Sequence, residues 1–203
     1  MAGPTRNFWD LRFAEGNTPW DRGAANPQLG IWLASQALKP CHILVPGCGS
    51  GYEVVELARA GFDVTALDYS PLAIERTRAS LKAAGQHAAL VEADALSWLP
   101  QRPYDAIYEQ TCLCALYPDH WRAYADQLHR WLKPGGKLFA LFVQFPRPGA
   151  ADGAIEGPPY HCDINAMRAL FPEPLWAWPK PPYPRTTHPR GLAELAVVLE
   201  HRD

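Results

Sequence analysis

A chain of 203 residues with a formal net charge of −2 is long enough to bury a core of its own without disulfide staples or a structural metal. Its 19 basic and 21 acidic residues are scattered, so there is no basic face of the kind that nucleic acid or an anionic membrane demands. No apolar run reaches the roughly 18 residues needed to cross a bilayer, and MAGPTRNFWDLRF lacks an uninterrupted apolar stretch of signal-peptide type. One cytoplasmic domain spanning residues 1–203 is the expectation, with a monomer as a plausible state.

Five cysteines, Cys41, Cys48, Cys112, Cys114 and Cys162, are odd in number and sit in apolar surroundings, which suits reduced thiols. No second pair at zinc spacing answers Cys112 and Cys114, so they are read as small buried hydrophobes and no metal is expected.

The N-terminal stretch FWDLRFAEGNTPWDRG spaces Trp9, Phe13 and Trp20 as an amphipathic segment that packs on the core, although EGNTPWDRG breaks any single helix. A short apolar run at Ile43–Val45 reads as a buried strand and leads into VPGCGSGYE. Tyr52–Arg59 places Val54, Val55 and Ala58 on one helical face. Phe62–Leu67 is a second strand. Ser70 as N-cap and Pro71 in the first turn open a helix to Ala84. Further strands are expected at Ala88–Val91, Ala106–Tyr108 and Lys137–Val143, with a helix over Asp119–Leu132 that closes on LKPGGK. The proline-dense WPKPPYPRTTHPRG reads as an exposed loop, followed by an edge strand at Glu194–Leu199. Strand alternating with helix predicts a doubly wound α/β fold with right-handed crossovers and its ligand outside the carboxyl ends of the strands.

The glycine loop says which ligand. A dinucleotide fold shows GxGxxG, but here Gly47, Gly49 and Gly51 are spaced GxGxG. Glu53 and Glu56 follow in the first turns of the helix, and no Lys or Arg stands between His42 and Arg59. Carboxylates there compete with a phosphate for the positive helix end. Asp68, 17 residues past Gly51, is placed to accept hydrogen bonds from two ribose hydroxyls. At the third strand end, VEADAL offers Asp94 to an exocyclic adenine amine and the Ala95 backbone amide to the ring. A nucleoside joined to an amino acid, without phosphate, is S-adenosylmethionine.

The order FWDLRFAEGNTPWDRG, VPGCGSGYEVVELARAGFDVTALDYS, YDAIYEQTCLCAL, LKPGGKL and GPPY resembles the thiopurine S-methyltransferase superfamily, with its plant halide and thiol methyltransferases, over nearly the whole chain. The resemblance implies a class I methyltransferase, Rossmann-like, with a seven-stranded sheet whose last strand is antiparallel. It further implies that residues 1–26 form a lid in which Trp9, Phe13 and Trp20 cover the cofactor. Gly47 then meets the methionine part, Asp68 the ribose, Asp94 and Ala95 the adenine, and Glu109 lies beside the methionine moiety.

Methyl transfer from a sulfonium needs alignment more than proton chemistry, and a thiol with a pKa near 8.5 is already partly ionised at neutral pH. No base stands out among Gln110, His120 and His161, the histidines being read as surface or capping residues, which favours a soft nucleophile: a thiol, a thiopurine-like sulfur or a halide. Animal members of the superfamily carry arginine and plant halide enzymes an aromatic where this chain has Gln110. Gln110 and Tyr160 are the candidates to face a small-molecule methyl acceptor. An oxygen or nitrogen methyltransferase and a non-catalytic cofactor-binding module are the alternatives.

Overall fold

A computed structural model of the protein describes residues 3–188 and 191–202. The elements in chain order are α1 (Arg6–Ala14), α2 (Pro27–Ala34), β1 (His42–Pro46), α3 (Tyr52–Arg59), β2 (Asp63–Asp68), α4 (Pro71–Ala84), β3 (Ala89–Glu92), β4 (Tyr104–Gln110) and α5 (Cys112–Ala115). They continue with α6 (Trp121–Trp131), β5 (Leu132–Gln144), α7 (Ile164–Leu170), β6 (Trp176–Ala177), β7 (Arg185–Thr187) and β8 (Ala193–His201). Seven strands run in the order β3-β2-β1-β4-β5-β8-β6, and β7 pairs with β8 off that path. The pairs β1·β2, β1·β4, β2·β3 and β4·β5 are parallel. The long last strand is antiparallel to β5. This is the doubly wound class I methyltransferase topology, and strand order reverses between β1 and β4, where such sheets bind ligands.

Two departures from the sequence reading lie at the C-terminal end. The described part of the proline-dense segment is not all loop, since it contributes β7, and β6 lies just before it; both pair with β8. Glu194–Leu199 is therefore an interior part of the sheet, flanked by β5 on one side. Each of the two short strands pairs over only two or three residues, below the length at which an apolar run can be recognised.

The central strands alternate between two cores because each is covered on both faces. Ile43 and Val45 of β1 join Phe139 and Leu141 of β5 under α2, α3 and α4, packed with Leu29, Trp32, Val54 and Ile74. Leu44, Leu138, Ala140 and Phe142 face the other side with Tyr124, Leu128 and Trp131 of α6 and Met167 of α7. Trp131 Nε1 and Gln127 Nε2 both donate to the Trp98 carbonyl, at 3.1 and 3.0 Å, which fixes the β3–β4 connection against α6. Ser70 caps α4 as expected, accepting from Ala73 N–H, and Gly85 ends it in the left-handed conformation.

Leu138 is fully buried in the centre of β5. Leu138→Ala is expected to lower unfolding free energy by about 2–5 kcal/mol in urea titration. A loss under about 1 kcal/mol would show that this layer is loosely packed.

Candidate active site

The site starts from backbone that only glycine adopts readily. Gly47, Gly49 and Gly51 have φ of +61°, +54° and +76°. A Cβ on Gly51 would stand 2.9 Å from the Thr77 Cα, and one on Gly47 2.9 Å from the Cys112 Cβ, so both glycines are also required for close packing. The turn is tied down from several directions. Gly49 N–H donates to Asp68 Oδ2 at 3.1 Å, Thr77 Oγ1 donates to the Gly49 carbonyl at 3.0 Å, and Ser80 Oγ donates to the Ser50 carbonyl at 3.0 Å. Asp68 Oδ1 accepts from Ser70 N–H at 3.0 Å, so the acid at the end of β2 holds both its own turn and the start of α4.

Above the strand ends lies a cavity of about 500 Å³, a size common for cofactor and small-molecule sites. Gly47, Gly49, Asp68, Asp94 and Ala95 all border it. Asp68 reaches it while engaged by backbone, and a carboxylate has further acceptor capacity to offer. Asp94 is exposed, and its Oδ1 accepts from Leu96 N–H at 2.9 Å.

α1 and the chain that follows it cover the cavity. Trp9, Phe13 and Trp20 all border it and meet edge to face, with ring centroids 5.2 Å apart for Trp9–Trp20 and 5.8 Å for Phe13–Trp20. Ser70 Oγ donates to Asp10, and Arg76 donates to the Phe13 carbonyl, which fastens α1 across α4. The far end of this segment is held by the C-terminal strands. Asn26 Nδ2 donates to Glu194 Oε2 at 2.7 Å, Arg22 Nη2 donates to the Thr187 carbonyl at 3.0 Å, and a His188 ring nitrogen lies 3.1 Å from the Trp20 carbonyl.

Three expected positions lie off the lining of the large cavity. Glu109 does not border the cavity: it is buried, and its Oε1 accepts from Leu113 N–H at 2.7 Å, capping α5. Strand alternation turns it away from the side that holds Gln110. Gln110 borders a separate small hollow instead of the large cavity, accepting from Tyr108 at 2.9 Å and donating to Glu194 at 3.3 Å. Tyr160 is buried, its ring under Gly157 and 5.7 Å from Tyr117. Gly157, Pro158 and Pro159 of the same GPPY turn are what face the cavity. His161 Nδ1 accepts from Phe145 N–H at 3.2 Å, whereas His120 stands on the cavity wall.

Residues that the sequence reading passed over complete the wall: Tyr117, Val143, Phe145, Leu116 and Glu194. Glu194 accepts from Asn26, Thr186 and Gln110, and so joins the N-terminal segment to β4 and β7. The signal for the aromatic members was weak, since a lone Tyr or Phe at a strand end is indistinguishable in sequence from a core residue.

Burial sets the local charge states. It raises the Asp68 carboxyl to about 6, an effect partly offset by the N–H groups of Ser70, Gly49 and Tyr69. It raises Glu53 and Glu109 each to about 7. The thiols of Cys112 and Cys114, both on the cavity wall, are pushed well above their usual value by burial first, with Glu109 next for Cys112 and Cys162, then Glu109, for Cys114. They stay protonated, and a protonated thiol is a poor nucleophile.

Fold and cavity together define a class I S-adenosylmethionine-dependent methyltransferase. The sheet order, the glycine turn and the acid at the end of β2 fit an adenosine-bearing cofactor, and S-adenosylmethionine is the methyl donor. The chain belongs to the thiopurine S-methyltransferase family, whose sequence profile matches residues 4–177. It is 33% identical over 173 residues to a probable thiol methyltransferase 2 of Arabidopsis thaliana, covering 84% of this chain and 74% of that protein. It is 32% identical to thiocyanate methyltransferase 1 of Brassica oleracea (80% and 70% covered) and 27% identical to a thiopurine S-methyltransferase of Legionella pneumophila (75% and 74%). Among solved structures, one from work on the conversion of a disulfide bond into a thioacetal group in echinomycin biosynthesis is 26% identical, with a TM-score of 0.73 over 91% of this chain and 84% of that one. The Burkholderia thailandensis 1,6-didemethyltoxoflavin N1-methyltransferase shares the fold at 18% identity, with a TM-score of 0.76 over 100% and 94%.

Two outcomes are expected. Asp68→Ala weakens S-adenosylhomocysteine binding by about 1–3 kcal/mol in calorimetry, the cost of leaving ribose hydroxyls unpaired in a buried site; an unchanged Kd removes Asp68 from the ribose. The second concerns pH. Because the Glu53 carboxyl is raised in the folded state, the stability tied to its protonated form is complete below its unfolded pKa and is lost as pH rises through about 7. Glu53→Gln, which has no charge to desolvate, is therefore expected to raise the melting temperature at about pH 8 and leave it nearly unchanged at about pH 4. A shift of equal size at both values would contradict the burial effect.

Proposed function

We propose that this enzyme transfers the methyl group of S-adenosylmethionine to the sulfur of a small, largely apolar thiol, with other soft nucleophiles such as thiopurine-like sulfur or halide as further acceptors. The observation that carries this is the wall of the cavity beyond the cofactor residues: Leu116, Tyr117, Val143, Phe145, Pro158 and Pro159 form an apolar face. Such a face favours an uncharged organic body. The thiol and thiocyanate methyltransferase names of its plant relatives point the same way.

Bound S-adenosylmethionine supplies an electrophilic methyl on a sulfonium. Trp9, Phe13 and Trp20 border the cavity, and an aromatic face attracts a desolvated cation by about 2 kcal/mol. Gly47 and Gly49 bring bare backbone against the amino-acid portion. Asp68 orients the ribose, and Asp94 with Ala95 the adenine. Residues 1–26 act as a lid on a single domain, excluding water so that displacement can proceed in line. A thiol acceptor ionises in appreciable fraction near neutral pH without a dedicated base. The enzyme's own thiols, Cys112 and Cys114, line the same cavity and are held neutral by burial, which makes them poor competing nucleophiles.

Transfer of labelled methyl to a panel of alkyl and aryl thiols, a thiopurine, iodide and a phenol tests this reading. The expected result is sulfur methylation led by apolar thiols, with His120→Ala changing the thiol rate by less than about threefold, since proton transfer by a positioned base would contribute roughly a hundredfold. Transfer to the phenol alone, lost on His120→Ala, would establish an oxygen methyltransferase. Cofactor binding without transfer to any acceptor would establish a binding module.

A further inference from the structure

Beside the glycine turn lies a second hollow of about 70 Å³, which shares Trp20, Gly47, Gly49 and Thr111 with the large cavity. Its chemistry differs from that of its neighbour. Arg22, Asp21 and Glu53 all line it, so a small space holds charges of both signs.

Arg22 is the unusual member. Its side chain is nine-tenths buried, at 10% exposure, and only Nη2 has a close partner, the Thr187 carbonyl at 3.0 Å. Nη1 is buried and makes no hydrogen bond. The nearest carboxylate oxygen, Oε2 of Glu194, stands 4.0 Å away and already accepts from Asn26 and Thr186. A guanidinium N–H left without a partner out of water is costly, and a carboxylate offers the strongest available remedy. The guanidinium is thus anchored at one nitrogen and free to bond at the other.

Asp21 and Glu53 exclude a phosphate as the occupant, since two more acids would oppose a purely anionic group. Asp21 Oδ2 accepts from Ser50 Oγ at 2.7 Å, and Glu53 Oε1 from Asn26 N–H at 2.9 Å. A group carrying both an anion and a cation on one carbon matches a hollow that presents both signs. We propose that Arg22 is the binding residue for the carboxylate of the cofactor's amino-acid end, with Asp21 and Glu53 facing its ammonium. Glu109, turned away to cap α5, leaves this role to the N-terminal segment. Arg22 lies two residues after Trp20, so recognition of the amino-acid end and closure of the aromatic cover are carried by one stretch of chain.

The proposal rests on the cofactor reading above, and calorimetry separates the two. Wild-type protein is titrated with S-adenosylhomocysteine, with 5′-methylthioadenosine, which lacks the amino acid, and with S-adenosylmethionine and its decarboxylated form. The expected result is that loss of the carboxylate alone weakens binding roughly 10- to 100-fold. Arg22→Met should weaken S-adenosylhomocysteine by a similar factor while changing methylthioadenosine by less than about twofold, and Arg22→Lys should recover part of the loss. Equal affinity of wild-type protein for the decarboxylated and complete cofactors would overturn the role of Arg22 without involving any variant. Equal losses for both nucleosides in Arg22→Met would overturn it too, because Arg22 would then only shape the fold. Failure of the wild-type protein to bind S-adenosylhomocysteine at all would overturn the cofactor reading itself.

Discussion

The contact between the Gly49 N–H and the Asp68 carboxylate is the constraint on which the rest of the site depends. It joins the turn after β1 to the end of β2, and the same carboxylate receives Ser70 N–H at the start of α4. Three left-handed glycines make the approach possible, and the carboxylate is held in place by backbone donors. What results is a half-buried acid, oriented by backbone donors at the border of the cavity. Burial raises its carboxyl to about 6, which leaves it largely ionised at neutral pH with both oxygens as acceptors.

The second organising feature is the bridge between the two ends of the chain. Glu194 on β8 receives Asn26, Gln110 and Thr186, and Arg22 bonds to the Thr187 carbonyl. The segment that carries Trp20 is thereby attached to the C-terminal strands instead of hanging free. The N-terminal segment that borders the cavity and the β7–β8 end of the sheet are therefore joined by side-chain and backbone hydrogen bonds.

Much of the fold was legible in the sequence because its signals are local. Ser70 followed by Pro71 marks a helix start, Gly85 its end, and short apolar runs bounded by Gly or Asp mark buried parallel strands. Gly47, Gly49, Asp68, Asp94 and the aromatics at 9, 13 and 20 stand out in the sequence for the same reason, and all border the cavity. What escaped is long-range. Glu194 and Arg22 approach each other across most of the chain, and nothing local to either residue shows that approach. Glu109 and Gln110 were seen, but the face each takes depends on strand alternation relative to α5, which spacing alone does not settle. Tyr160 sits in a visible GPPY motif, yet the ring packs inward beneath Gly157 while the prolines turn outward.

The central claim is that the strand ends hold S-adenosylmethionine with its methyl directed at an apolar acceptor wall. A crystal structure with S-adenosylhomocysteine tests it most directly. The ribose hydroxyls are predicted within hydrogen-bond reach of Asp68, with the sulfur lying under Trp9 and Trp20 and open toward Phe145 and Pro158. A ligand bound with its sulfur turned away from that wall, or held without contact to Asp68, would contradict the account.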